Sequence, residues 1–411
     1  MKSYNLTIEH QCPQCGAPAT LEETDRLFSC NFCRVRSYLA VRDFFRYRLP
    51  DRAPEGTSLF FIPYWRFKGM VFSSGFQGIR HDFLDVSAPA VDLPAFPPSL
   101  GFRSQALKLK FVSPNTTGHF VKPQRLLDEA MEKIFRRLDL KLSAPVCHRS
   151  RIGETVSLIY APFYTKKGLY DAVLNTPVPG ALPEDVDAGA LPGGRPRWRL
   201  RFLACLCPDC GWDMEGQRDS LVLHCPNCET AWQAAENGFK KIRVEHFPES
   251  READTFLPFW RIRADVEGMR LATYADLVRA ANLPKVIRSR WDTVPAYFWT
   301  PAFKIRPARF LRFTAHMTLT APMDPTIPRI PKRNAFPVTL PVKEAAEALM
   351  PGLIFFVRPQ REFLERIDAV RIRPKSYSLV YLPFGESRHE WIQKRYALVI
   401  NKSTLGHAKN L

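Results

Sequence analysis

Two stretches of this sequence each carry a pair of Cys-x-x-Cys turns with fourteen residues between the turns. The cysteines are Cys12, Cys15, Cys30 and Cys33 in the first stretch, and Cys207, Cys210, Cys225 and Cys228 in the second. Such a turn places two sulfurs on one side of a tight loop, and two facing turns make a tetrahedral four-thiolate site. Gly16 and Gly211 follow the first turn of each stretch, where positive φ lets backbone amides point at the sulfurs. The spacing predicts two structural metal ions, because four protein ligands leave no open position for water.

Zinc is the expected metal at both quartets, with a rubredoxin-like iron site as the chemical alternative. Disulfides are disfavoured because the N-terminal segment lacks the apolar core of a secretory leader, so we expect a cytoplasmic chain with reduced thiols. A redox role fits poorly, since a redox Cys-x-x-Cys works without a second copy opposite it. His10 and His224 stand near ligand cysteines but are expected to lie beside the sites without binding metal. Of the remaining cysteines, Cys147 has no motif and Cys205 is expected to be a buried apolar residue.

The two stretches resemble zinc ribbons, the β-hairpin modules found in general transcription factors, topoisomerases, primosomal helicases and many small bacterial proteins. The resemblance covers about residues 8–36 and 203–232, a small part of the chain. It implies a metal-stabilised hairpin module at each place. It does not identify a function, because zinc ribbons serve nucleic-acid binding, protein docking and structural stapling alike.

The ribbons belong to a longer internal repeat. A shift of 195 residues maps the first quartet onto the second and also maps FIPYWR (61–66) onto FLPFWR (256–261). Further on, SLIYAPF (157–163) matches SLVYLPF (378–384) at a shift of 221. We therefore predict two tandem homologous halves, residues 1–175 and 198–411, joined by a Pro/Gly-rich linker at 176–197. Trp65 and Trp260 should occupy equivalent buried positions in the two halves.

The predicted fold class is α+β and mainly antiparallel β, with each half a ribbon followed by a β-rich domain with one main helix. Aromatic and β-branched runs punctuated by proline predict short strands outside the ribbons. The strongest helix pattern spans 124–138 and places five apolar residues on one face. These are Leu126, Leu127, Ala130, Ile134 and Leu138. In the second half, the corresponding helix is expected within 340–352.

Charge is the main indication of a partner. The chain has 59 Lys and Arg against 41 Asp and Glu, a formal net charge of +18, which favours a polyanion such as nucleic acid or an acidic protein surface. Two segments interleave basic and aromatic residues and are the predicted polyanion contacts. Their basic residues are Arg195, Arg197, Arg199 and Arg201 in the first segment, and Lys304, Arg306, Arg309 and Arg312 in the second. The first segment has an equally good interpretation as an amphipathic edge strand protected from aggregation by solvated arginines.

No phosphate-binding glycine loop, nucleophile elbow or metalloprotease motif is present in the sequence, and no segment has the roughly 18 apolar residues that a membrane-spanning helix needs. An enzyme is therefore less expected than a binding protein. We hypothesise a non-catalytic, zinc-stabilised binding or scaffold protein whose partner is nucleic acid. The alternative is a protein-docking adaptor, in a larger complex or at an anionic membrane face, that binds no nucleic acid.

Overall fold

The chain forms two compact units that do not coincide with the two predicted halves. The computed structural model describes residues 5–139, 145–179, 191–236, 238–248 and 254–407. Unit 1 comprises Met1–Lys68, Leu84–Leu142 and Thr155–Ala204. Unit 2 comprises Gly69–Phe83, Ser143–Glu154 and Cys205–Leu411. Two segments from the first half of the sequence therefore belong to the second unit.

Strands account for most of the regular structure. In chain order they are β1 (Thr7–Gln11), β2 (Pro18–Glu22), β3 (Leu27–Ser29), β4 (Arg36–Ala40), β5 (Phe45–Arg48), β6 (Phe60–Gly75), β7 (Gly78–Pro89), β8 (Lys108–Phe111), β9 (His119–Val121), β10 (His148–Thr165), β11 (Leu169–Asp171), β12 (Thr176–Pro177), β13 (Gly193–Gly194), β14 (Arg201–Ala204), β15 (Val222–Cys225), β16 (Thr230–Ala235), β17 (Gly238–Ile242), β18 (Val244–His246), β19 (Thr255–Glu267), β20 (Phe298–Pro301), β21 (Arg371–Glu386), β22 (Glu390–Gln393) and β23 (Leu398–Asn401). The helices are α1 (Arg103–Ala106), α2 (Leu127–Asp139), α3 (Tyr274–Ala280), α4 (Pro307–Thr320), α5 (Val342–Glu347), α6 (Leu349–Phe356), α7 (Gln360–Glu365) and α8 (Lys402–His407), with short 3-10 helices at Ser289–Asp292 and Ile367–Ala369.

The main sheet of unit 1 has the strand order β13-β9-β6-β10-β5-β8-β1-β2, and β14-β4-β3 form a second sheet. Two strands of the main sheet, β12 and β13, lie in the described ends of the predicted linker, whose residues 180–190 fall outside the described residues. Gly193 pairs with Val121, and a Cβ at Gly193 would lie 2.2 Å from the carbonyl oxygen of Phe120. Pairing at this edge of the sheet therefore requires glycine.

Unit 2 is built around the strand order β20-β19-β21-β22-β23, with β18 pairing on β21 and a separate sheet β15-β16-β17. The long pair β19–β21 is antiparallel from Thr255↔Phe384 to Glu267↔Arg371. Antiparallel pairing dominates in both units, and parallel pairs occur at β1–β8, β5–β10, β6–β9 and β18–β21. The predicted class, α+β with mostly antiparallel strands, is confirmed.

A buried tryptophan organises the centre of unit 1. Trp65 on β6 donates its indole N–H to the carbonyl of Arg125 at 2.8 Å, just before α2 begins. The carbonyl of Pro63 accepts from Ala90 at 2.8 Å, and the carbonyl of Ala90 accepts from Gln124 and Arg125 at 2.7 and 2.9 Å. These bonds fix the entry of α2 against the middle of β6.

Unit 2 contains the same arrangement. Trp260 on β19 donates its indole N–H to the carbonyl of Leu340 at 2.9 Å, just before α5 begins. The carbonyl of Pro258 accepts from Ala302 at 3.0 Å, and the carbonyl of Ala302 accepts from Thr339 and Leu340, both at 3.0 Å. Both tryptophans are buried, as the repeated motif predicts.

The parallel strand pairs of the two units also correspond. The N–H of Leu49 donates to the carbonyl of Tyr160 at the end of the β5–β10 pair, at 3.0 Å. The N–H of Phe247 donates to the carbonyl of Tyr381 at the end of β18–β21, also at 3.0 Å. Tyr160 and Tyr381 are the tyrosines of the matched strings SLIYAPF and SLVYLPF.

The helices depart from the prediction in two ways. In unit 1, α2 begins at Leu127, so Leu126 precedes the helix and is 69% exposed, while Ala130, Met131 and Phe135 form the buried face. The side chain of Leu138 lies outside the described residues. In unit 2, α3, α4 and α6 lie alongside the short helix α5 at the predicted position, so the expectation of one main helix is wrong for this unit.

Candidate metal centres and basic surfaces

The first quartet is assembled by the ends of four short strands. Cys12 directly follows β1, and its N–H donates to the carbonyl of Ala17 at 2.8 Å, while Gly16 donates to the carbonyl of Cys12 at 2.9 Å. Gly16 has φ of +73°, the left-handed conformation expected from the sequence. The second turn has the same form without glycine, since Arg34 has φ of +64° and donates to the carbonyl of Cys30 at 3.1 Å.

The second quartet repeats this backbone. The N–H of Cys207 donates to the carbonyl of Trp212 at 2.8 Å, and Gly211, with φ of +73°, donates to the carbonyl of Cys207 at 2.8 Å. The residue after the second turn, Glu229, again has positive φ, at +55°. Near Cys228, the hydroxyl of Thr230 lies 2.9 Å from the sulfur and accepts the indole N–H of Trp232.

The sulfur geometry fits a bound metal ion. Within each quartet the four sulfurs all lie within 4.8 Å of one another. The sulfur pairs Cys12–Cys33 and Cys15–Cys30 are both 3.7 Å apart, and Cys207–Cys228 and Cys210–Cys225 are 3.6 and 3.4 Å apart. Tetrahedral zinc with Zn–S bonds of about 2.3 Å requires sulfurs about 3.8 Å apart, whereas a disulfide requires about 2.05 Å. All ten cysteines lie outside disulfides, and the two quartets could each hold a metal ion.

Hydrogen bonds and burial shift the pKa values of thiols within the quartets in different directions. The backbone N–H of Cys33 donates to Cys30 and lowers the pKa of Cys30 to about 6. In the second quartet, a hydrogen bond from the Asn227 side chain lowers the pKa of Cys210 to about 6, and burial raises the pKa of Cys225 to about 12. A divalent cation at the centre would stabilise all four thiolates at once.

Among the described residues, the groups that could hold a metal ion include neither His10 nor His224. His10 stacks on Phe202 with ring centroids 5.2 Å apart and meets Phe111 edge-on at 5.5 Å, and burial lowers the pKa of His10. His224 lies 3.4 Å from the carboxylate of Glu215, and burial lowers the pKa of His224 as well. Cys205 is buried, as expected.

The predicted polyanion segment 195–201 has the alternation that the sequence predicts. Arg195, Arg197 and Arg199 are exposed, Trp198 between them is buried, and Arg201 is half-buried at the start of β14. The three exposed arginines therefore present one polar face, and the apolar side chains between and after them pack against the core of unit 1. Among the described residues, none of the three exposed arginines is paired with a carboxylate.

The second basic segment is divided between core and surface. Arg306, Arg309 and Arg312 are exposed at the beginning of α4, with Pro307 as the first helical residue. The positive end of a helix dipole disfavours cations, so helix stability does not explain these arginines. Lys304 is buried, because it follows β20 into the core of unit 2, and the prediction that it is a surface contact is wrong.

Unit 1 also has a groove that the sequence did not indicate. Its volume is about 1270 Å³, and it runs from the Cys-x-x-Cys turn that begins at Cys12, past the ends of β1 and β8, to the segment 195–201 and the start of β14. Its walls include Lys108, Lys110, Phe111, Arg199 and Phe202. The string QALKLKF (105–111) offered a signal, since Lys108 and Lys110 alternate with Leu109, but nothing in the sequence shows that β8 pairs with β1.

Comparison of this chain with protein-family models, curated proteins and solved structures gives no match. In the part of the chain that the structure describes, no helix combines the length and the apolar character that crossing a membrane requires.

Proposed function

We propose that this chain is a non-catalytic, zinc-stabilised binding or scaffold protein whose partner is nucleic acid. Each cysteine quartet would hold one Zn²⁺ in a zinc ribbon, with all four positions filled by thiolate, so that the metal stabilises the fold and takes no part in chemistry. The free thiols fit a reducing compartment such as the cytoplasm.

The observation that carries the proposal is the set of exposed arginines on each unit that have no acidic partner among the residues that the structure describes. In unit 1 they alternate along an extended segment, and in unit 2 they follow one another at the start of a helix. Guanidinium groups held in this way are suited to bidentate contacts with phosphate. Phosphate contacts of this kind position a nucleic acid without reading its sequence.

We also propose that the two units descend from a tandem duplication. Support comes from the hydrogen bonds around Trp65 and Trp260, which involve carbonyls and N–H groups at matching places in both units. A chain built in this way would offer two copies of one scaffold, each with its own metal ribbon and basic surface.

The test is titration of a labelled random oligonucleotide with the metal-loaded chain at two salt concentrations. Affinity should fall steeply with salt, because each neutralised phosphate releases a counterion. Replacement of Arg195, Arg197, Arg199 and Arg201 with Ala should weaken binding to all sequences alike and flatten the salt dependence. A control variant that removes four exposed lysines elsewhere on unit 1, K122A/K133A/K166A/K167A, should have a much smaller effect. Absence of binding at the lower salt would refute the nucleic-acid proposal.

A second candidate, a protein-docking adaptor, is favoured by aromatic side chains exposed at the metal turns. Phe32, between the cysteines of the first ribbon's second turn, is 69% exposed, and Trp212, next to Gly211, is 57% exposed. Exposed aromatic residues are typical anchors in protein interfaces. An adaptor predicts negligible oligonucleotide binding near physiological salt, together with loss of a captured partner when Phe32 or Trp212 is replaced with Ala.

A further inference from the structure

We propose that the groove beside the first ribbon binds single-stranded nucleic acid, with bases against its aromatic wall and phosphates against its basic rim. This inference rests on the proposed function and specifies the form of its ligand. The groove belongs entirely to unit 1, and its volume of about 1270 Å³ exceeds the roughly 300–1000 Å³ typical of small-molecule sites. A polymer suits it better than a metabolite.

The aromatic wall consists of three rings, with His10 in contact with both Phe111 and Phe202. His10 and Phe202 are stacked with an interplanar angle of 16°, and Phe111 meets His10 edge-on. All three residues are half-buried and line the groove, so they combine access from the groove with support from the core. Unpaired bases stack on such supported rings, and each stacked base contributes about 1–3 kcal/mol.

The basic rim is formed by Lys108 and Lys110 on β8 and by Arg199 on the opposite segment. The two lysines are exposed on either side of the buried Leu109, so their side chains leave one face of the strand about 7 Å apart. Phe111 leaves the other face, and the groove reaches both by passing the end of the strand. This distance is close to that between successive phosphates of an extended single strand. Glu9 lies 3.5 Å from Lys108 and 3.9 Å from Lys110, which leaves the rim with three cations and one anion.

The combination of rings and cations favours a single strand over the other polyanions. A duplex keeps its bases stacked inside and would reach only the rim, whereas a single strand can turn its bases toward the rings. An acidic peptide would engage the lysines and leave the aromatic wall uncovered. Single-stranded nucleic acid is the ligand whose two chemical parts match both parts of the groove.

The experiment compares a labelled oligothymidine strand with a duplex of equal length, using the full-length, metal-loaded chain. The single strand should bind at least tenfold more tightly than the duplex. F202L should weaken single-strand binding about five- to tenfold, because a flat stacking surface is lost while an apolar side chain remains. F102L removes an exposed phenylalanine of unit 1 that is not part of the groove, and should change nothing.

The rim is tested separately with K108A/K110A, which also keeps the proposal testable if F202L fails to fold. Loss of two phosphate contacts should reduce the slope of log K against log salt by about 1.4. K166A/K167A, which removes the same charge from exposed positions outside the groove, should leave the slope unchanged.

Three results would overturn the groove proposal alone. Equal affinity for strand and duplex would do so, as would tighter binding of polyglutamate than of the oligonucleotide. The third is oligonucleotide binding that survives F202L and K108A/K110A but is lost in R306A/R309A/R312A, which leaves the proposed function standing and moves its site to unit 2. Absence of any oligonucleotide binding would overturn the proposed function together with the groove.

Discussion

The two cysteine quartets have the same sulfur geometry, but different ion pairs connect them to their units. In unit 1, the fully buried carboxylate of Glu23, in the turn between the two metal-binding turns, accepts hydrogen bonds from Arg66 on β6 and lies 3.6 Å from Lys68. In unit 2, the partly exposed Glu229 beside the quartet lies 3.0 Å from Arg329 and 3.7 Å from Lys332.

Burial makes these two sets of ion pairs unequal in their contribution to stability. A buried pair that loses one partner leaves an uncompensated charge in the core, whereas an exposed pair is screened by water and salt. The first quartet is therefore linked to the folding of unit 1 through a buried charge cluster, whereas the ion pairs beside the second quartet are partly exposed. Two four-cysteine clusters with the same sulfur geometry thus lie among different electrostatic contacts.

Metal removal should have the largest effect and should affect both quartets alike. Structural zinc sites have apparent binding free energies of about 10–16 kcal/mol, so chelation should unfold both ribbons. C30S and C225S should each lower the metal content from about two ions per chain to about one, measured by elemental analysis. If the analysis finds iron and the protein is red, the sites are of the rubredoxin type instead of zinc sites. A metal-free chain in which both four-cysteine modules are folded would contradict the prediction.

The difference between the buried and the exposed ion pairs should be measured most clearly with E23Q and E229Q. E23Q should lower the free energy of unfolding of unit 1 by about 3–5 kcal/mol, because Asp85 still pairs with Arg66 but the buried Lys68 loses the carboxylate 3.6 Å away. E229Q should cost about 0–1 kcal/mol, as for an exposed pair. Urea unfolding monitored separately for each unit measures both, and equal losses would show that burial does not distinguish the ribbons.

The tryptophan variants W65F and W260F test the similarity instead of the difference. Each removes an indole N–H and leaves a carbonyl, of Arg125 or Leu340, without that donor. Each should cost about 1–3 kcal/mol, and the two losses should agree closely if the arrangements are equivalent. Thermal unfolding of the two variants provides the comparison, and a loss confined to one variant would argue against equivalence.

The smallest expected effect is an opposite pH dependence of two carboxyls. Burial opposes ionisation of Glu23, but Arg66 and Lys68 bring its pKa below the ordinary value, so its stabilisation is lost as the pH falls through the pKa of the folded state. Burial raises the pKa of Glu344 in unit 2 from 4.5 to about 7, although Gly153 donates to its carboxylate at 2.6 Å.

For Glu344 the sign is reversed, because the folded state binds the proton more tightly than the unfolded state. Its stabilisation is complete below pH 4.5 and is lost as the pH rises to about 7. E344Q should therefore match the wild type near pH 5 and be more stable near pH 8, measured by urea unfolding. Greater wild-type stability at the higher pH would contradict this assignment.

The features that could be predicted from the sequence are those fixed by local chemistry. The spacing of the cysteines predicts the two four-cysteine clusters, and a repeated apolar string predicts the burial of Trp65 and Trp260. The arginine alternation at 195–199 also follows from period-two geometry, because Trp198 must be buried.

The features that could not be predicted depend on contacts between distant residues. The groove exists because β1 and β8, about a hundred residues apart, pair in parallel, and no local pattern encodes such a pair. Helix α4 had a readable signal in Pro307 followed by Phe310, Phe313 and Met317, which the preceding strand-like run obscured. Lys304 was assigned to the surface because basic and aromatic residues alternate around it, although the chain enters the core at that point.

The interleaved composition of the two units has a consequence for synthesis on the ribosome. Residues 69–83 and 143–154 leave the ribosome early, yet they supply Met70, Phe72 and Ile152 to a core whose other members extend to Leu405. These segments cannot pack into that core until nearly the whole chain has been translated, because contacts of such long sequence separation form late. A nascent chain arrested near residue 204 would thus hold a nearly complete first unit together with two apolar segments that a chaperone could recognise, and a fragment starting at residue 198 would lack part of its own core.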